Sequence, residues 1–189
     1  MVKDEKRKIL IVDDDRLSLK VASDILEDEY DVDCVICGED SLTYLKENTP
    51  DLILMDLHMP GMGGKAAISQ IMSSKTLRKI PIICLTADSK PETEIQCLTM
   101  GALDYITKPF VPQVTKSRIS RVIELNELRN HLEEQLNKKT ALLEQVTVNF
   151  IMAIAHTIDA KDAYTSGHSL RVAKCAEEIA KALGWNEEQ

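Results

Sequence analysis

Ile9-Leu10-Ile11-Val12-Asp13-Asp14-Asp15 is the stretch of sequence that decides the fold. Its four apolar residues form a continuous run, which is typical of a strand buried on both faces of a sheet. Three acids follow directly, where such a strand would end. A second stretch, Leu52-Ile53-Leu54-Met55, has the same character and is followed by Asp56. Both stretches predict buried parallel strands with acidic residues at their carboxyl ends.

The rest of the first 112 residues alternates short apolar runs with amphipathic stretches. Strands are expected at 9–12, 32–36, 52–55, 80–85 and 102–107, and helices at 17–26, 41–46, 65–72 and 92–99. This alternation predicts an α/β fold, a doubly wound five-stranded parallel sheet with helices on both faces. Sites in such sheets lie outside the carboxyl ends of the strands.

Composition narrows the class of protein. The chain has 189 residues, and 31 acidic against 23 basic residues give a net charge of -8. This charge argues against general binding to nucleic acid or to an anionic membrane surface. No apolar run approaches the roughly 20 residues of a membrane span, and the N-terminus has no signal-peptide core, so we expect a cytoplasmic protein. Cys34 and Cys37 have CxxC spacing but lie in a predicted strand, which favours small buried thiols over a metal or redox role.

The acids at the strand ends form a candidate site. If the first and third strands are neighbours, Asp13, Asp14 and Asp56 converge at one sheet edge, where they repel one another unless a cation is present. Oxygen ligands in an open site suit Mg²⁺. Thr86 ends the fourth strand and Lys108 follows the fifth, so a hydroxyl and an ammonium reach the same edge. This set suits phosphoryl transfer to Asp56 as nucleophile. The alternative is a set of separate, solvated strand ends.

Four motifs carry a family resemblance. They are Ile11-Val12-Asp13-Asp14, Leu54-Met55-Asp56-Leu57-His58-Met59-Pro60-Gly61-Met62-Gly63-Gly64, Leu85-Thr86-Ala87 and Lys108-Pro109-Phe110. With them, residues 8–122 resemble the receiver domain of two-component response regulators. The resemblance implies a flavodoxin-like fold, a sensor histidine kinase as partner, and Mg²⁺ or Mn²⁺ as cofactor.

The same resemblance implies roles for the residues of the site. Asp56 would be the phosphoacceptor, and Asp14, Asp56 and the backbone carbonyl of His58 would bind the metal directly, while Asp13 would bind it through water. Thr86 and Lys108 would hold the phosphoryl group.

Further implied roles concern the neighbouring loops. The Lys108–Pro109 peptide is expected to be cis. On phosphorylation Thr86 would move towards the phosphate and Tyr105 would enter the gap; plain edge packing is the alternative role for Tyr105. His58 and Asp88 would tune dephosphorylation.

A long helix follows the predicted sheet. From Gln113 to about Asp159 the sequence has no proline or glycine, which predicts one long helix or two nearly continuous ones. An apolar stripe runs along it, interrupted by Arg129 and Lys139; it comprises Leu125, Leu132, Leu136, Leu143, Val146 and Phe150. The stripe favours a coiled coil that forms a homodimer, with fold-back of an amphipathic helix as the alternative.

The C-terminal segment resembles the opening of an HD-GYP domain, a metal-dependent phosphodiesterase for cyclic di-GMP. The resemblance rests on the stretch from Asp159 to Ala173. His168 would be the first metal ligand of that domain, or else a solvated residue at a helix start. The His-Asp dyad and the Gly-Tyr-Pro loop are not in this sequence, so we expect a truncated domain without enzymatic activity.

These patterns predict three segments: a receiver domain at 1–122, a helical linker at 123–152 and a truncated HD-GYP segment at 153–189. The expected function is that of a phosphoacceptor response regulator that switches an output domain through the long helix. The longer natural protein would hydrolyse cyclic di-GMP. A receiver-like scaffold that binds partners without being phosphorylated is the alternative.

Overall fold

Five parallel strands form one sheet in the N-terminal unit of the chain. The structure is a computed structural model, which describes residues 6–88, 90–161 and 168–182. The strands are β1 (Lys8–Val12), β2 (Asp31–Val35), β3 (Leu52–Asp56), β4 (Ile82–Thr86) and β5 (Asp104–Thr107). Their order across the sheet is β2-β1-β3-β4-β5, so β1 and β3 are neighbours. This order confirms the predicted doubly wound, flavodoxin-like sheet.

Helices connect the strands and cover both faces of the sheet. The connecting helices are α1 (Arg16–Leu26), α2 (Gly38–Glu47), α3 (Gly64–Ser73) and α4 (Pro91–Thr99). After β5 follow α5 (Pro112–Lys161), whose first turns pack on the sheet, and α6 (His168–Ala182). Local sequence explains where several begin. The carboxylate of Asp15 accepts the Leu17 N–H at 3.0 Å and caps α1, and Pro91 occupies the first turn of α4, where its missing N–H costs nothing.

The core has two layers because side chains of a strand alternate between the faces of the sheet. Leu10, Ile53 and Ile82 point to one face, where they join a buried cluster with Ile68 and Ile71 of α3. The neighbouring residues of the same strands, Ile9, Leu52 and Ile83, point to the other face. There they pack against Leu26 of α1 and Ile119 of α5. Burial on both faces explains the continuous apolar runs of β1, β3 and β4.

Two predicted strands begin later than expected. The fourth was expected from Ile80, but the N–H of Ile80 closes a 3-10 helix at Leu77–Lys79, and Pro81 has no N–H for the ladder. The fifth was expected from Ala102, but the N–H of Ala102 donates to the Cys97 carbonyl beyond the end of α4. Both differences arise because a hydrogen bond to the preceding helix competes with the sheet.

The prediction of buried thiols at Cys34 and Cys37 is wrong for both residues. Cys34 is exposed and Cys37 is partly exposed, whereas Cys84 and Cys97 are buried. The physical reason is the position of β2, which forms an edge of the sheet and not its centre. Cys37 has a local role, since its Sγ accepts the Asp40 N–H at 3.4 Å at the start of α2.

The chain divides into two units, Met1–Asn130 and His131–Gln189, and α5 contributes to both. The long helix predicted after residue 113 is confirmed as a single helix, Pro112–Lys161. Along it the stripe residues Leu132, Leu136 and Leu143 are 55, 65 and 67% exposed. Within the described residues, no helix combines the length and apolarity required to cross a membrane.

The two glycines at the start of α3, Gly63 and Gly64, provide a test of the packing around the end of β3. A Cβ at Gly64 would overlap the backbone oxygen of Asp56, whereas one at Gly63 would lie 3.3 Å from the Met59 oxygen. We expect Gly64→Ala to lower the free energy of unfolding by about 3 kcal/mol and Gly63→Ala by about 1 kcal/mol or less. Urea unfolding followed by circular dichroism measures both. Equal losses in the two variants would show that the close approach at Gly64 is unimportant.

Candidate functional site

Three carboxylates meet at the carboxyl edge of the sheet. Asp56 is the last residue of β3, and Asp13 and Asp14 follow β1, its neighbour in the sheet. One carboxylate oxygen from each of the three lies within 4.8 Å of those of the other two. Asp13 and Asp56 are buried, at 0 and 7% exposure, while Asp14 is exposed. The cluster is therefore open to solvent on the side of Asp14.

This donor set fits a hard divalent cation. Carboxylates held this close repel one another, and a cation among them removes the repulsion. All three side chains offer oxygen, the ligand atom that Mg²⁺ prefers, and the exposed side leaves room for the waters that Mg²⁺ retains. The residues therefore fit an Mg²⁺ or Mn²⁺ ion.

Lys108 partly neutralises the two buried acids. It follows β5, and its Nζ lies 2.6 Å from Oδ2 of Asp13 and 2.5 Å from Oδ2 of Asp56. Burial alone would lower the pKa of Lys108, but the hydrogen bonds to Asp13 and Asp56 outweigh it and hold the pKa above its usual 10.5. The lysine is thus a fixed positive charge in the site. The peptide bond between Lys108 and Pro109 is cis.

The loop after β3 holds the other oxygen of Asp56. The backbone N–H of His58 donates to Oδ1 of Asp56 at 3.0 Å. Asp56 is thus oriented by a lysine on one oxygen and by a backbone amide on the other. The side chain of His58 is exposed and lies in the same loop, beside the carboxylate.

Thr86 ends β4 and is fully buried. Its hydroxyl accepts the Asp88 N–H at 3.0 Å and lies 3.3 Å from the Asp88 carbonyl, so it is engaged by its own loop. The Asp88 carboxylate accepts the Lys90 N–H and the Thr93 hydroxyl at the start of α4. The position of the Thr86 hydroxyl is therefore linked to the beginning of α4.

Tyr105 of β5 is held between α4 and α5. Its hydroxyl donates to Oε2 of Glu94 at 2.9 Å, and this bond, with burial, raises the pKa of Tyr105. The Arg118 guanidinium lies 5.4 Å from the centre of the tyrosine ring and donates to both oxygens of Asp104, at 2.7 and 2.9 Å. Contacts of this kind fix the orientation of an aromatic ring. Tyr105 therefore joins three elements of the fold.

Sequence reasoning missed three polar contacts around this site. Ser18 of α1 donates its hydroxyl to Oδ2 of Asp13 at 2.6 Å, Glu39 of α2 accepts the Met62 N–H at 3.0 Å, and Glu94 binds Tyr105. Only Ser18 had a local signal, since it lies on the first turn of the helix that follows the acidic run. The other two contacts depend on how helices pack.

The segment predicted to resemble an HD-GYP domain is described only in part. His168 is the first residue of α6. Residues 162–167, which lie within the stretch that carries the resemblance, fall outside the described residues.

Comparison with known proteins agrees with this geometry. The family model described as "Response regulator receiver domain" matches residues 9–120. A putative response regulator from Chloroflexus aurantiacus is 29% identical, with a TM-score of 0.62, over 64% of this chain and 99% of that one. The receiver domain of a signal transduction histidine kinase from Syntrophus aciditrophicus is 35% identical, with a TM-score of 0.58, over 62 and 90% of the two chains.

The match with one relative covers more of this chain than the family model does. A protein of Vibrio cholerae named "Probable cyclic di-GMP phosphodiesterase" is 31% identical over 183 residues, which are 93% of this chain and 41% of that protein. The chain thus spans about two fifths of the length of this relative. The match over residues 9–120, together with the sheet and its acidic edge, shows that this chain belongs to the response regulator receiver family of two-component signalling.

Proposed function

We propose that Asp56 accepts a phosphoryl group from a sensor histidine kinase. The observation that carries this proposal is the environment of Asp56, which ends β3 between the Lys108 ammonium and the His58 N–H. Receiver domains pair with such kinases and have no catalytic output of their own. An oxygen of Asp56 attacks phosphorus, and the bond between phosphorus and the donor nitrogen breaks.

Each neighbour of Asp56 then has a defined task. Asp14, Asp56 and the His58 carbonyl hold the metal directly, and Asp13 holds it through water. Bound there, Mg²⁺ or Mn²⁺ supplies positive charge for the phosphoryl oxygens. Lys108 adds a second positive charge, and preorganised charge of this kind lowers the barrier without a large rearrangement.

The switch proposed for this domain uses Thr86 and Tyr105. Thr86 exchanges its bonds to Asp88 for one to the phosphoryl group, and Tyr105 leaves Glu94 and turns inward. This switch is supported by the way the two side chains are held. Each makes hydrogen bonds, which can be broken and formed again with another partner, and is not held by apolar packing alone. His58 and Asp88, in the loops beside Asp56 and Thr86, set the lifetime of the phosphorylated state.

Labelling with acetyl phosphate tests the acceptor. We expect the parent to gain one phosphoryl group in the presence of Mg²⁺ and Asp56→Asn to gain none, because an amide is not a nucleophile towards phosphorus. Intact-protein mass spectrometry measures the gain. Asp15→Asn is the matched control, since Asp15 lies beside the same cluster and an asparagine caps α1 equally well.

Two results would contradict the acceptor proposal. Labelling of Asp56→Asn would place the acceptor elsewhere. A parent that takes no label, while still binding Mg²⁺, would favour a scaffold that is not regulated by phosphorylation. In a labelled parent, the resonances of the Tyr105 ring report whether the switch has occurred.

We propose further that two copies pair through the stripe on α5. The stripe residues follow one another at alternating spacings of three and four when Arg129 and Lys139 are included, which is the spacing of a coiled-coil seam. Val146 and Phe150, near the end of the stripe, are 54 and 66% exposed. Exposed apolar side chains in one line favour association.

Adjacent leucines provide a matched test of this pairing. Leu143 lies on the stripe and Leu142 beside it, at similar exposures of 67 and 63%. We expect Leu143→Ser to shift the protein towards monomer by at least about tenfold in dissociation constant, and Leu142→Ser to shift it little. Sedimentation equilibrium measures both constants. A parent that is monomeric at high concentration, or equal shifts in the two variants, would contradict pairing through the stripe.

The output of the longer protein is proposed from its relative. We infer that a protein containing this chain and extending to the length of the Vibrio cholerae relative hydrolyses cyclic di-GMP. We also infer that the 189-residue chain lacks the complete metal centre of such a phosphodiesterase, since none of the four histidines of the chain is followed by Asp. His168 is the residue of this chain that would contribute to that centre.

Hydrolysis assays test the activity of the longer protein and the inactivity of the 189-residue chain separately. With Mn²⁺ present, the longer protein is expected to linearise cyclic di-GMP and the 189-residue chain is expected to leave it intact. Separation of the nucleotides by chromatography measures the product. Hydrolysis by the 189-residue chain alone would overturn the inferred lack of a centre, and an inactive longer protein would overturn the proposed output.

A further inference from the structure

The loop that follows Asp56 is anchored by a helix that contributes nothing to the acidic cluster. This loop, residues 57–63, runs from the end of β3 to the start of α3. Near its far end, the N–H of Met62 donates to Oε1 of Glu39 at 3.0 Å. Glu39 lies in the first turn of α2, one residue after Gly38. A side chain of α2 therefore fixes the backbone of the loop.

Two glycines allow the loop and α2 to approach this closely. A Cβ at Gly38 would lie 2.6 Å from the backbone oxygen of Met62, a distance that real Cβ atoms essentially never show. Gly61 has a φ of +72°, which residues with side chains rarely adopt, and a Cβ at this position would lie 3.6 Å from Oε1 of Glu39. The carboxylate thus reaches a backbone turn that only glycine forms readily. The contact is built by both segments.

The near end of the same loop determines the orientation of Asp56. His58 donates its N–H to Oδ1 of Asp56, and its carbonyl is the proposed third ligand of the metal. Three residues separate His58 from Met62, and one of them is Pro60, whose φ is fixed by its ring. Because the loop is this short, we expect a displacement at Met62 to alter the position of His58. The Glu39 contact and the Asp56 contact act on the same short segment.

We propose that Glu39 is a positioning residue for the metal and for Asp56. By accepting the Met62 N–H, its carboxylate holds the loop so that the His58 amide and carbonyl face the acidic cluster. This inference rests on the proposed function of Asp56. It adds a residue from the start of α2, which follows the carboxyl end of β2, to those that govern metal binding.

Three variants distinguish the effect of the Glu39 hydrogen bond from the effect of the negative charge of Glu39. Glu39→Ala removes the acceptor, Glu39→Gln retains an amide oxygen at the same reach, and Asp40→Ala removes an equal charge from the same helical turn. Hydrogen exchange of the Met62 amide, measured without metal, reports the contact directly. Titration with Mg²⁺, followed by backbone amide resonances at residues 56–58, reports metal affinity independently of phosphorylation.

We expect Glu39→Ala to lose protection at Met62 and to bind Mg²⁺ about tenfold more weakly, because supporting contacts of ligands have effects of this size. Glu39→Gln and Asp40→Ala should each remain within about twofold of the parent, since neither removes the acceptor. With acetyl phosphate, saturating Mg²⁺ should restore the labelling rate of Glu39→Ala, which distinguishes misplacement of the loop from general loss of structure.

Other results would overturn the role of Glu39. Parent-like Mg²⁺ affinity in Glu39→Ala would show that the contact does not position the site. An equal loss of Mg²⁺ affinity in Asp40→Ala would assign the effect to negative charge at the start of α2. An equal loss of Mg²⁺ affinity in Glu39→Gln, which retains the acceptor, would exclude the hydrogen bond as the cause. If the parent binds Mg²⁺ but takes no phosphoryl group, the proposed function fails while the metal and exchange measurements still decide the role of Glu39.

Discussion

The repulsion among three carboxylates at one edge of the sheet is the constraint on which the rest of the site depends. Asp13 and Asp56 are buried next to each other, and a single ammonium, that of Lys108, contacts both. One positive charge does not balance two buried acids and the exposed Asp14, so the cluster retains an excess of negative charge that attracts a cation. Lys108 in turn depends on the sheet: its backbone N–H donates to the Thr86 carbonyl at 2.7 Å, beyond the ends of β4 and β5. The strands thus place the charges, and the charges create the affinity for metal.

The acidic side chains are oriented by donors from different parts of the fold. Oδ1 of Asp13 accepts the Asp15 N–H at 3.0 Å, and Oδ2 accepts the Ser18 hydroxyl besides Lys108. Asp56 has a backbone amide on one oxygen and the lysine on the other. Because charge-assisted hydrogen bonds are directional, these donors keep the carboxylates in one arrangement despite their repulsion. A metal therefore meets a site that is organised before it binds.

Most of the fold and the composition of the site were predictable, for reasons that lie in particular residues. The apolar runs that end in Asp13 and Asp56 mark central strands, and a parallel sheet brings the carboxyl ends of such strands together. The exposure of Cys34 could not be predicted in this way, because an apolar run does not reveal whether its strand lies at the centre or at an edge of the sheet. The contacts of Glu39 with Met62 and of Glu94 with Tyr105 join residues of different elements, 23 and 11 positions apart in sequence. Their partners are determined by how helices pack on the sheet, which no local pattern encodes.

The polar contacts of Tyr105 connect β5 with α4 and α5. The tyrosine touches Glu94 of α4 and Arg118 of α5, and Arg118 also binds Asp104 at the start of β5. An inward turn of Tyr105 breaks the bond to Glu94 and removes the ring from beneath the guanidinium, so the charges between α4 and α5 must rearrange. Between Gln113 and Asp159 the helix contains no proline or glycine, the residues that most often permit a kink. The turn of α5 that carries Arg118 therefore belongs to the same uninterrupted helix as the exposed stripe.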